Sequence, residues 1–240
     1  MNEWSKLTNS EVDALDRSLP VILPIGLIEA HGAHLETGFD AYSAAYFARR
    51  ICEATGAILL PTIPYGFADT TWEYPGTVGV KAETLGMVIG DVCELLCHHG
   101  FKNVIVLSGH GGNGIGVGLG FQRAWERHPD LKPAYWTYYG AGGVPMSHAD
   151  ETETSVALAI GATVYPDRAE DFTMPKLWHE VSSRKALAPL SGAINGNPTR
   201  ATLERGEAAV GQILTTLIEK VAAIVADAGA DAQSTQHRGG

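Results

Sequence analysis

An α/β fold, with a mainly parallel central sheet covered by helices on both faces, is what this sequence predicts, and three observations carry it. Short apolar runs such as Val21–Ile25, Ala57–Pro61 and Val104–Leu107 have the length and β-branched content of buried strands. Segments with apolar residues at helical spacing, Ala41–Glu53, Ala82–His99 and Gly112–Arg127, separate them. Strands alternating with helices of this size call for right-handed crossovers, hence parallel pairing.

Taken in order, a first helix is expected near Ser10–Asp16, then the Val21–Ile25 strand. Ala41–Glu53 runs toward Gly56, a residue suited to stop a helix because it enters the left-handed region freely. A strand at Ala57–Pro61, a long loop over Pro64–Val80 and a helix at Ala82–His99 follow, the last ending before Gly100. Val104–Leu107 is the next strand, Gly112–Arg127 a helix, Ala134–Tyr139 an aromatic-rich strand and Glu151–Ile160 a helix. Thr199–Ala228 is long enough for one helix or two. The expected organisation is one domain over residues 1–228 and a small, polar, flexible tail at 229–240.

Composition narrows the function classes. A chain of 240 residues can bury a substantial core. The formal charge of -10, with no long basic run, argues against nucleic acid and anionic membrane surfaces as partners. The three cysteines, Cys52, Cys93 and Cys97, fall in helical segments and read as reduced core thiols. The polar amino terminus lacks the apolar core of a signal peptide, and no apolar stretch reads as long enough to span a bilayer; the expectation is a cytoplasmic protein.

The chemistry concentrates after the first strand. Within IGLIEAHGAHLETGFDAY stand Glu29, His31, His34, Glu36 and Asp40. Residues two apart in an extended segment project to one side, so Glu29 and His31 can converge, and Gly32 and Gly38 let the loop fold Asp40 back toward them. A mixed carboxylate and imidazole set suits zinc, manganese or iron(II) better than calcium or magnesium. The bland alternative makes His31 and His34 loop residues tied to backbone and Glu29 a surface charge.

Val104–Leu107 runs into Ser-Gly-His-Gly-Gly-Asn, which places His110 at another strand's carboxyl end, the rim where ligands bind in such sheets. The Rossmann and Walker glycine patterns are absent. The Gly-x-Ser-x-Gly elbow is absent too, which argues against Ser108 as a nucleophile. In His148-Ala-Asp-Glu-Thr-Glu153, a helix starting near Asp150 would put Glu153 in its first turn with His148 facing the same cleft; taken alone, Asp150 and Glu153 are also an ordinary capping box. Trp72, Tyr74, Trp136 and Trp178 can supply flat pocket walls, although each taken singly reads as core or interface. Trp72, Tyr74, Gly111 and Asn113 are the substrate-contact candidates.

These segments, together with YPGTVGV, VLSGHGGN, HADETETSVAL and SGAINGNPTRATLERGEAA, resemble the successive motifs of the creatininase (creatinine amidohydrolase) family, in that family's order and from about Val21 to Ala209. The resemblance implies a three-layer αβα sandwich, a homo-oligomer that is often a hexamer, and one or two divalent ions (Zn, Mn or Fe). It implies metal ligation by Glu29, His31, Asp40 and His110, with Asp40 bridging, and gives His34 no ligand role. His148 matches the family's general acid, and Glu153 an acid that binds metal or orients that imidazole.

Two departures bear on the substrate. The creatinine-hydrolysing members carry a metal-binding glutamate two residues after the histidine matching His110, where this chain has Gly112. Many relatives also have Glu-His in place of Thr70-Thr71. The His-Gly-Gly-Asn form is similar to relatives that remove a formyl group from a formamidopyrimidine nucleotide or process a peptide-derived redox cofactor. The expected activity is hydrolysis of a C–N bond in a small cyclic amide or formamide by a metal-activated water. The alternatives are hydrolytic ring opening of a cyclic ketone such as a dehydro-inosose, with Asp69, Thr70 and Thr71 facing its hydroxyls, and a metal-holding scaffold without turnover.

Overall fold

The computed structural model describes residues 1–68, 71–173 and 192–236, with side chains in the last helix described to residue 227. Five parallel strands, β1 (Asn2–Glu3), β2 (Val21–Ile25), β3 (Ile58–Leu59), β4 (Asn103–Ser108) and β5 (Lys132–Thr137), form one sheet in the order β1-β3-β2-β4-β5. The helices are α1 (Asn9–Asp13), α2 (Phe39–Thr55), α3 (Ala82–His98), α4 (Gly114–Trp125), α5 (Tyr138–Ala141), α6 (Glu151–Ile160) and α7 (Leu203–Gln236).

Both faces of the sheet are buried, so its central strands read as unbroken apolar runs. Alternate side chains serve opposite layers. Ile22, Ile105 and Leu107 pack with Phe39, Phe47, Ile51, Val156, Ile213 and Leu217, which belong to α2, α6 and α7. Val21, Leu23, Ile25, Val104 and Val106 pack instead with Leu85, Ile89, Cys93, Val117 and Phe121 of α3 and α4. The outcome is a three-layer αβα sandwich. All three cysteines are free and buried in these layers.

Several boundaries depart from expectation for identifiable reasons. Strand β3 covers only Ile58–Leu59 rather than Ala57–Pro61, because Pro24 of β2 has no N–H with which to continue the ladder; pairing resumes only where Ile63 meets Ile25. The aromatic strand starts and ends two residues earlier than expected. Thr137 caps a short helix by accepting from the Gly140 N–H, so Tyr138 and Tyr139 are helical. Strand β1 is two polar residues at the sheet edge, below the length at which alternation is visible. The carboxyl-terminal segment is a single helix running to Gln236, past Ala228 where the sequence pattern ends.

The expectation that no stretch could span a bilayer needs correction. Leu203–Asp227 contains an 18-residue window with a mean hydropathy of 1.6, long and apolar enough by length and composition to cross a membrane. Its buried residues Val210, Ile213, Leu217 and Val221 follow helical spacing and belong to the core cluster on one sheet face, which is the packing of a core helix.

Register sets up the functional rim. Ile25, Ser108 and Thr137 are aligned partners at the carboxyl ends of β2, β4 and β5. The next residues of β2 and β4 are Gly26 and Gly109, against which the first turn of α2 is pressed. A Cβ on Gly109 would lie 2.1 Å from the Asp40 carbonyl oxygen, and one on Gly26 2.2 Å from the Ala41 nitrogen. Backbone on backbone leaves nothing flexible to yield. Gly109→Ala is therefore expected to lever α2 off the sheet and lower stability by about 1–3 kcal/mol, the usual cost of overpacking, in denaturant unfolding of the metal-free protein. An unchanged midpoint would contradict that contact.

Candidate metal centre

Glu29, His31, Asp40, His110 and Glu153 come from three distant parts of the chain, and none is more than 7% exposed. Glu29 and His31 lie in the loop after β2, and Asp40 in the first turn of α2. His110 follows β4, and Glu153 stands in the first turn of α6. Asp40 thus reaches the cluster from a helix, not from a loop folded back by glycines as the spacing had suggested.

The side chains form overlapping triads. Glu29, Asp40 and His110 each place one donor atom within 4.8 Å of the others, and so do His31, Asp40 and Glu153, and Glu29, His31 and His148. The two Asp40 oxygens divide between the first pair. Oδ2 is 3.6 Å from His110 Nδ1, which itself lies 2.8 Å from Glu29 Oε2. Oδ1 is 3.3 Å from His31 Nε2, which lies 3.6 Å from Glu153 Oε2. Asp40 therefore faces both sets at once.

Backbone contacts fix how the groups present themselves. His31 Nδ1 is 3.0 Å from the Glu29 carbonyl oxygen, which can only accept, so Nδ1 keeps a proton and Nε2 is the nitrogen turned toward Asp40 and Glu153. By the same reasoning His148, whose Nε2 lies 2.8 Å from the Ala30 carbonyl, turns Nδ1 toward Glu29 Oε2, 3.8 Å away. Asp150 caps α6 by accepting from the Thr152 and Glu153 N–H groups. The Glu153 carboxylate does not close a capping box; it accepts from the Ala149 N–H at 2.5 Å. Ala149 adopts φ 52°, an unfavourable left-handed conformation for alanine that turns the backbone between His148 and the helix.

Glu29 Oε2, His31 Nε2 and Asp40 Oδ2 are buried and make no hydrogen bond of normal geometry. A buried polar atom left in that condition costs about 1–3 kcal/mol. Three carboxylates and two imidazoles aimed at common points fit a divalent cation of the zinc or manganese type, which takes both nitrogen and oxygen donors.

Without a cation, protons hold the charges apart. Burial pulls the His31 imidazole down, but Asp40, Glu153 and Glu29 around it push it up to about 10. Burial raises Glu153 to about 8 and Asp40 to about 6, in both cases against the opposing charge of His31. Burial also works on Glu29, yet His148, His110 and His31 keep it well below the usual carboxylate range. Burial lowers His148 to about 4.

A cleft of about 230 Å³ opens onto the cluster, lined by Gly111, Gly112, Tyr139, Met146, Ser147 and His148 beside Glu29, Asp40 and Glu153. Of the four substrate-contact expectations, only Gly111 lines it. Asn113 is consumed by the scaffold: its Oδ1 accepts from the Phe67 N–H, and its amide hydrogens go to the Gly26 carbonyl and Ser108 Oγ. Trp72 is 59% exposed, and neither it nor the half-buried Tyr74 reaches the cleft. Trp136 packs against the core, and Trp178, Asp69 and Thr70 lie outside the described residues. Ser108 donates to the His110 carbonyl at 2.6 Å and is no free nucleophile. His34 is buried against Thr154, with Nε2 3.0 Å from its Oγ1, and belongs to none of the triads. Tyr139, which by residue type alone reads as core or interface more readily than as a pocket wall, does line the cleft, as the strand-end rule would favour because it follows β5 at the rim. Sequence reasoning missed Met146, Ser147 and the contact of Thr71 with Glu29.

A parallel αβα sandwich whose strand ends converge on buried carboxylates and imidazoles beside an open cleft defines a candidate metal centre. Comparison with known proteins gives the family. The creatininase family model, described as creatinine amidohydrolase, matches residues 5–222, and this chain belongs to that family of hydrolases. It is 26% identical over 172 residues to creatinine amidohydrolase of Pseudomonas putida, covering 61% of this chain and 65% of that protein. Over 239 residues it is 26% identical to the mycofactocin precursor peptide peptidase of Mycobacterium tuberculosis, covering 92% and 91%. A 3-dehydro-scyllo-inosose hydrolase of Thermotoga maritima is 28% identical over 158 residues, covering 58% of this chain and 50% of that one. The fold matches a solved creatininase with a TM-score of 0.81 at 22% identity, over 91% and 96% of the two chains. Solved creatininases include a Zn-Zn form and a Mn form.

Protonation of the metal-free cluster has a measurable consequence. At neutral pH both His31, near 10, and Glu153, near 8, carry a proton that ligation must displace. Zinc binding at pH 7 is expected to release roughly two protons, with affinity falling as pH falls. Calorimetry in buffers of different ionisation enthalpy counts them; binding without proton release would contradict the assignment.

Proposed function

We propose that this protein is a metal-dependent hydrolase that cleaves the C–N bond of a small cyclic amide or formamide. The observation that carries this reading is the division of Asp40, one carboxylate oxygen toward Glu29 and His110 and the other toward His31 and Glu153. Glu29, Asp40 and His110 would hold one divalent ion, zinc, manganese or iron. His31, Asp40 and Glu153 would hold a second, with Glu153 in place of the glutamate that Gly112 lacks. When bound, such ions supply Lewis-acid polarisation of a carbonyl and a water acidic enough to attack it near neutral pH.

The protein's own residues supply the rest. His148, anchored through Nε2 on the Ala30 carbonyl, presents Nδ1 at the cleft, where it can take up a proton and return it to the departing nitrogen. That transfer matters because an amine leaves poorly unless protonated. Glu153, fixed by the Ala149 N–H, keeps one oxygen toward His31. Tyr139 and Met146 wall the cleft, whose size lies below the ~300–1,000 Å³ of pockets for drug-sized ligands and suits a small substrate or one end of a larger one. Relatives named as an amidohydrolase and as a peptidase support C–N cleavage. We read the protein as cytoplasmic; we also read it as a homo-oligomer, for which the exposed apolar residues Leu95, Ile115 and Trp125 on α3 and α4 speak.

Purified protein assayed against creatinine, a formamidopyrimidine and an inosose-type ketone is expected to turn over an amide or formamide. Turnover of the ketone alone would replace this reading with C–C hydrolysis. Asp40→Ala is expected to lose both metal and activity. His148→Ala should lower kcat by about 10² to 10⁴ while metal content by elemental analysis stays unchanged. Full activity in His148→Ala would remove the proton-transfer role.

A further inference from the structure

Thr71 lies in the loop between β3 and α3, remote in sequence from every residue of the cluster. It is 3% exposed, and its hydroxyl donates to Glu29 Oε1 at 2.5 Å. A contact of that length is in the range of charge-assisted hydroxyl to carboxylate bonds, roughly twice as strong as neutral ones. The two oxygens of Glu29 therefore have different surroundings. Oε1 is taken up by Thr71; Oε2 lies 2.8 Å from His110 Nδ1 and 3.8 Å from His148 Nδ1, and makes no hydrogen bond of normal geometry.

We propose that Thr71 is a positioning residue that locks the Glu29 carboxylate so that only Oε2 is offered to a cation. This inference rests on the reading of the cluster as a metal centre. Without the hydroxyl, Glu29 Oε1 is a buried acceptor with no partner, and the carboxylate is free to rotate and present both oxygens or turn away. The same residue also anchors its loop, since its carbonyl accepts from the Tyr74 N–H at 3.0 Å. The exposed Trp72 is thereby held next to the cluster's support, so that metal affinity and the placement of this turn share one anchor.

Removal of a group that orients a metal ligand costs about 10–100-fold in metal affinity. Zinc affinity measured by competition with a chromophoric chelator should fall by that factor in Thr71→Val, which keeps the shape and loses the donor. Thr71→Ser, which keeps the donor, should bind as the wild type does. Circular dichroism and melting of the metal-free proteins check that each variant folds; if the valine variant does not, Thr71→Ala takes its place in the comparison with serine. Wild-type affinity in the valine or alanine variant overturns the role of Thr71 and leaves the metal centre standing. An equal loss in Thr71→Ser assigns the effect to methyl packing and overturns it as well. A wild-type protein that binds no zinc overturns both readings together.

Discussion

Burial of Glu29, Asp40 and Glu153 at one point is the constraint to which the rest of this structure answers. Carboxylates removed from water without a compensating charge are unstable, and the effective penalty after relaxation is still several kcal/mol per ion. The protein meets it with imidazoles. His31 faces Asp40 and Glu153, and His110 faces Glu29 and Asp40, so every carboxylate has a nitrogen partner within 4 Å. In the metal-free state His31 carries a proton; divalent cations would carry the same compensation in more compact form.

The scaffold's contribution is to bring three distant segments to a single rim. Parallel pairing aligns the carboxyl ends of β2, β4 and β5, and the loops leaving them share one edge of the sheet. Gly26 and Gly109 allow the start of α2 to press directly on two of those ends, which carries Asp40 into the centre. From the far side α6 delivers Glu153, and its cap residue Asp150 also accepts from the Ser147 N–H, tying the His148 loop to the helix. The geometry of the cluster and the stability of the fold thus draw on the same close contacts.

Much of this was legible in the sequence because the signals were local. The strand Val21–Ile25 and the helix Glu151–Ile160 match their expected limits, one marked by a continuous apolar run and the other by an acidic cap and a closing glycine. The five ligand candidates do converge: Glu29, His31 and His110 follow the carboxyl ends of neighbouring parallel strands, which must share a rim, and the first turns of α2 and α6 bring Asp40 and Glu153 to it. What stayed hidden depends on long-range contacts. Whether Asn113 faces a substrate or the backbone of Gly26 and Phe67 cannot be told from a glycine-rich loop. The bond between Thr71 and Glu29 spans 42 residues with no periodic signature. Trp72 looked like a pocket wall by residue type alone, yet the turn that carries it points outward.

The presence of cations on both sides of Asp40 is the claim on which the hydrolase reading stands. Crystals of the metal-replete protein, measured on and off the absorption edge of zinc or manganese, test it directly through anomalous difference density. The expected result is a peak between Glu29, Asp40 and His110, with a second between His31, Asp40 and Glu153. Density elsewhere, or none at this cluster in protein shown by elemental analysis to hold metal, would contradict it.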